Sequence, residues 1–128
     1  MRILIIDDNP VNNSRYIDAV KSKHTVEVAL KMRSAVRMLQ TMTFDVIVID
    51  VMMPTQILST HNEMTAGFDF YESQVRPFNL KSKIVFWSRL TDSCFNKDVY
   101  SDETKFSFVH KSENANHLLT EIDRILQK

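Results

Sequence analysis

Phe44-Asp45-Val46-Ile47-Val48-Ile49-Asp50-Val51-Met52-Met53-Pro54 is the stretch on which the fold turns. Val46 to Ile49 are β-branched and apolar on both faces of an extended chain, as a strand covered on both sides in a parallel sheet must be. The run stops at Asp50. Ile3-Leu4-Ile5-Ile6 repeats the pattern and stops at Asp7-Asp8. Working outward, Ile84-Val85-Phe86-Trp87 and Phe106-Ser107-Phe108-Val109 predict two more strands, and Thr25 to Ala29 predicts a weaker one that alternates like an edge.

Helical spacing fills the intervals. Tyr16, Ile17 and Val20 follow the first strand; Ala35, Val36, Leu39 and Met42 follow the second. Leu118, Leu119, Ile122, Ile125 and Leu126 make the clearest stripe, at the C-terminal end. Phe68, Tyr71, Glu72 and Val75 predict a short third helix closed by Pro77, whereas Cys94 to Tyr100 has too few periodic apolar residues to define one. Alternating strands and helices imply an α/β fold, a parallel sheet between two helical layers.

Composition narrows the function. The chain has 128 residues, 44% hydrophobic and 25% charged, which suits one domain spanning 1–128. Lys plus Arg and Asp plus Glu number 16 each, so no global charge favours nucleic acid or an anionic membrane. A lone cysteine, Cys94, excludes an internal disulfide and suits the cytoplasm. No apolar run approaches the roughly 18 residues of a membrane span. With one glycine, Gly67, glycine-rich phosphate loops are excluded.

Ligands of such sheets sit beyond the carboxyl ends of the strands. Those ends carry Asp7, Asp8, Asp50, Ser88 and Lys111. Three carboxylates in one crevice repel one another unless a cation compensates, and oxygen ligands with room for a phosphoryl group suit magnesium. An acid pair after an apolar strand is by itself more often a solvated strand end or a helix cap. The four histidines, His24, His61, His110 and His117, show no metal spacing with Cys94.

Taken together, Asp7-Asp8, the Phe44–Pro54 stretch, Ser88 and Lys111 resemble the receiver domain of two-component response regulators over essentially the whole chain. The resemblance implies a three-layer, doubly wound, five-stranded parallel sheet with the flavodoxin-like order 2-1-3-4-5. It implies Asp50 as phosphoacceptor, with phosphoryl delivered by a sensor histidine kinase or histidine phosphotransfer protein. Asp8, Asp50 and the backbone carbonyl of Met52 would ligate magnesium, with Asp7 helping through water. Lys111 and Ser88 would hold phosphoryl oxygens, and Ser88 and Phe108 would form the switch that passes the signal to a downstream protein or output domain. A homodimer is a further partner the resemblance allows. Such a protein catalyses only its own phosphorylation and dephosphorylation.

The chain departs from that pattern in several places. Pro54 and Gly67 are separated by twelve residues, Thr55 to Ala66, which predicts either a loop that contacts a partner or closes as a lid, or a tolerated insertion. Arg89 follows Ser88 where a small residue is usual, and its cationic side chain is expected to gate the crevice or pair with phosphate. Ser112 replaces the proline after Lys111 and is expected to cap the last helix. Apolar Met52 and Leu90 predict a long-lived phosphoryl state. Two rival functions stand beside the phosphoryl switch: a receiver-like interaction module regulated without phosphorylation, and a magnesium phosphatase, which the apolar Met52 disfavours.

Overall fold

The computed structural model describes residues 1–51, 66–78, 80–88, 100–111 and 114–128. Five strands form one parallel sheet: β1 (Arg2–Ile6), β2 (Thr25–Ala29), β3 (Val46–Asp50), β4 (Lys83–Ser88) and β5 (Phe106–His110), ordered β2-β1-β3-β4-β5. This is the expected flavodoxin-like order, with β2 at an edge. β3 lies at the centre, paired to β1 from Ile3↔Val46 to Ile6↔Ile49 and to β4 from Val46↔Lys83 to Asp50↔Trp87. All five of its residues are buried.

The side-chain alternation of each strand divides the core in two. Leu4, Ile6, Ile47, Ile49, Ile84 and Phe86 join a cluster with Met32 and Ala35 of helix α2 (Met32–Thr41) and with Phe70, the last residue of helix α3 (Ala66–Phe70). Ile3, Ile5, Val46, Val48, Val85 and Trp87 join a second cluster with Tyr16, Ile17 and Val20 of helix α1 (Ser14–Lys21) and with Leu118, Leu119, Ile122 and Ile125 of helix α4 (His117–Leu126). Because both faces are covered, unbroken apolar runs cost nothing in exposed surface.

Two local expectations are corrected. The third helical segment is not one α-helix closed by Pro77: α3 widens into a π turn over Tyr71–Val75 and tightens into a 3₁₀ turn over Arg76–Phe78. Pro77 has no N–H to continue an α ladder, the Arg76 N–H donates to the Tyr71 carbonyl five residues back, and the Ser73 hydroxyl donates to the Asp69 carbonyl at 2.8 Å. Nor does Ser112, which lies outside the described residues, cap α4; Asn116 stands at its cap position. Among the described residues no helix is long and apolar enough to cross a membrane.

Candidate functional site at the carboxyl ends of the strands

Asp7 follows β1 and is fully buried, fixed to the sheet by its N–H donating to the Ala29 carbonyl at 3.0 Å. Its carboxylate is held on both oxygens. The Asn9 N–H donates to Oδ1 at 2.9 Å and the Asn13 amide donates to Oδ2 at 2.7 Å. Asn13 occupies the cap position of α1 yet makes no side-chain cap bond: the side chain is turned with its NH2 toward Asp7, and Oδ1 meets none of the helix N–H groups. Asp8, one residue on, is exposed.

Asp50 ends β3, buried to 4% exposure. Carboxylate oxygens of Asp7, Asp8 and Asp50 lie within 4.8 Å of one another. Lys111, just beyond β5, reaches across β4 to place Nζ 3.0 Å from Asp50 Oδ2, with 8% of its side chain exposed. Its own N–H donates to the Ser88 carbonyl at 2.7 Å, so the ends of β4 and β5 are tied together at the site. Beneath the ammonium lies the Trp87 ring, its centroid 4.4 Å from Nζ.

Gly67 explains how the chain returns after the enlarged loop. Its N–H donates to the Val51 carbonyl at 2.8 Å, and a Cβ there would lie 2.6 Å from Val51 Cα and 2.7 Å from the Asp50 carbonyl oxygen. Only glycine lets α3 start against the backbone that carries Asp50.

These groups line an open depression of about 160 Å³ formed by Asp7, Asp8, Asn9, Asn12, Asn13, Asp50 and Lys111. Its donors fit magnesium: they are oxygens, and a 4.8 Å spread is close to the roughly 4.2 Å between opposite ligands of an octahedral ion. The buried Asn13 Oδ1 has no hydrogen-bond partner among the described residues, leaving an acceptor for a coordinated water.

A family profile supplies the identification: that of the response regulator receiver domain matches residues 3–123. The chain belongs to this family. Receiver domains are phosphoacceptor signalling switches rather than classical enzymes, and this is one of them. By sequence, no curated protein matches the chain. Among solved structures, the signal receiver domain of a Luxo repressor protein from Vibrio parahaemolyticus is similar at TM-score 0.76 and 16% identity, covering 98% of this chain and 89% of that one. The Vibrio cholerae chemotaxis protein CheY4 is similar at TM-score 0.72 and 23% identity, covering 97% of each. A CheY-like receiver domain protein from Methanospirillum hungatei is similar at TM-score 0.70 and 17% identity, covering 98% and 93%.

Of the residues singled out from sequence, the receiver fold brings Asp7, Asp8, Asp50 and Lys111 to one depression. Ser88 ends β4, fully buried, one residue past Trp87, which pairs with Asp50. Phe108 lies on β5, its ring 5.5 Å from Phe86 and 6.4 Å from Phe68. Met52, Arg89, Leu90, Cys94 and the loop 55–65 lie outside the described residues. Sequence reasoning missed Asn9, Asn13 and Trp87. The asparagine-rich segment directly after the acid pair was the available signal for the first two; nothing in the sequence marked Trp87.

Proposed function

We propose that residues 1–128 act as one cytoplasmic receiver domain in which Asp50 accepts a phosphoryl group from a phosphohistidine of a sensor histidine kinase or histidine phosphotransfer protein. The reading rests on one observation: three carboxylates within 4.8 Å of one another and a buried ammonium 3.0 Å from the central one. A carboxylate oxygen of Asp50 attacks phosphorus, the phosphorus–nitrogen bond of the donor breaks, and its electron pair returns to the imidazole, leaving an acyl phosphate on Asp50. Asp8 and Asp50, with the Met52 backbone carbonyl that the family pattern implies and Asp7 acting through water, would hold magnesium, which would supply charge neutralisation on the transferred oxygens. Lys111 exchanges a carboxylate partner for a phosphoryl oxygen without leaving its buried position. The Ser88 hydroxyl binds another phosphoryl oxygen, and Phe108 repacks among its neighbouring rings, presenting a changed surface to a downstream partner.

Incubation with magnesium and acetyl phosphate, read by intact mass, tests the proposal. The expected result is a gain of one phosphoryl group that Asp50→Asn abolishes. No gain in the unmodified protein would overturn it in favour of an interaction module that works without phosphate.

A further inference from the structure

Trp87 is the largest of the fully buried side chains, and it lies directly under the ammonium of Lys111. Its position follows from register: Trp87 pairs with Asp50 across β3 and β4, and with Val109 across β4 and β5, two residues before Lys111. Tyr16 of α1 meets the indole edge-on, with centroids 5.4 Å apart and planes at 76°, so the ring has little freedom to tilt. The result is a column running from Tyr16 through Trp87 and Lys111 to Asp50.

An ammonium has three N–H groups and Asp50 takes one, at 3.0 Å. The side chain is 8% exposed, and an indole face, the strongest π partner a cation can have, lies on its inner side. We propose that Trp87 is a positioning residue: its ring face is a second, unchanging partner that keeps Lys111 Nζ in place while the first partner changes from carboxylate to phosphoryl oxygen. The inference rests on Asp50 being the phosphoacceptor for its kinetic consequence, but not for the contact itself.

Two measurements on the full chain separate these. Trp87 is the single tryptophan of the protein, so intrinsic emission reports this ring alone. Lys111→Met is expected to change its emission without any phosphodonor; identical emission would overturn the proposal. The rate of reaction with acetyl phosphate and magnesium should fall about tenfold in Trp87→Leu, and Trp87→Phe, which keeps a smaller π face, should recover most of that loss. A normal rate in Trp87→Leu would overturn the proposal, and so would equal losses in both variants, which would show packing alone at work. If Trp87→Leu fails to fold, the emission comparison decides. Absence of any reaction in the unmodified protein would instead refute the phosphoacceptor reading and leave the emission result standing.

Discussion

Asn13 shows how one side chain can serve two structural demands and satisfy only one. It stands where α1 would take a capping bond, yet its amide goes to Asp7 Oδ2 at 2.7 Å inside the protein. A buried carboxylate without donors is costly, and the side chain is turned with its NH2 toward the acid rather than with Oδ1 toward the helix N–H groups. Replacing Asn13 by Ala strips a donor from Asp7 and removes the unpaired Oδ1 from the lining of the depression. Magnesium affinity, measured by calorimetry, should fall about tenfold, and the metal-free protein should lose about 1–3 kcal/mol of stability against urea. The acids themselves were legible in the sequence because each ends an apolar run. The support around them was not, because which donors meet a carboxylate is decided by how α1 leaves the sheet.

The joint between β3 and α3 depends on close backbone approach. Gly67 abuts Val51 Cα and the Asp50 carbonyl oxygen, where a methyl group would meet main chain and not a flexible side chain. Gly67→Ala should therefore cost about 1–3 kcal/mol, read from the urea midpoint, and should slow phosphorylation because relief of the clash displaces Asp50. The third helical segment was legible as apolar spacing, and Tyr71 and Val75 are indeed buried. Its widening into a π turn was not, since apolar periodicity describes a face and does not specify which carbonyl each N–H finds.

At the scale of the molecule, the face of the sheet opposite Trp87 is held by rings. Phe86 stacks near Phe106 and Phe108, and Tyr100 packs against Phe68, Tyr71, Phe86 and Phe106 while its hydroxyl donates to Glu72 Oε1 at 2.9 Å. Burial, reinforced by the hydrogen bond to the Glu72 carboxylate, pushes the Tyr100 phenol well above its ordinary value, and burial also raises Tyr71. A raised native pKa means stability that is intact below the unfolded value, about 10, and is lost as pH rises beyond it. Denaturation between about pH 8 and about pH 11 should show that loss, and Tyr100→Phe should flatten it.

The sequence by itself determined the layered architecture and the chemistry at its edge. Short β-branched runs apolar on both faces are the pattern of interior strands, and the acids and lysine that follow such strands emerge at the same rim of a parallel sheet. Tertiary structure decided what those residues touch. The 4.8 Å gathering of carboxylates, the indole under Lys111 and the glycine against Asp50 each join segments far apart in the chain. Such contacts are fixed by strand register and helix packing, which arise from the whole set of buried side chains rather than from any one stretch.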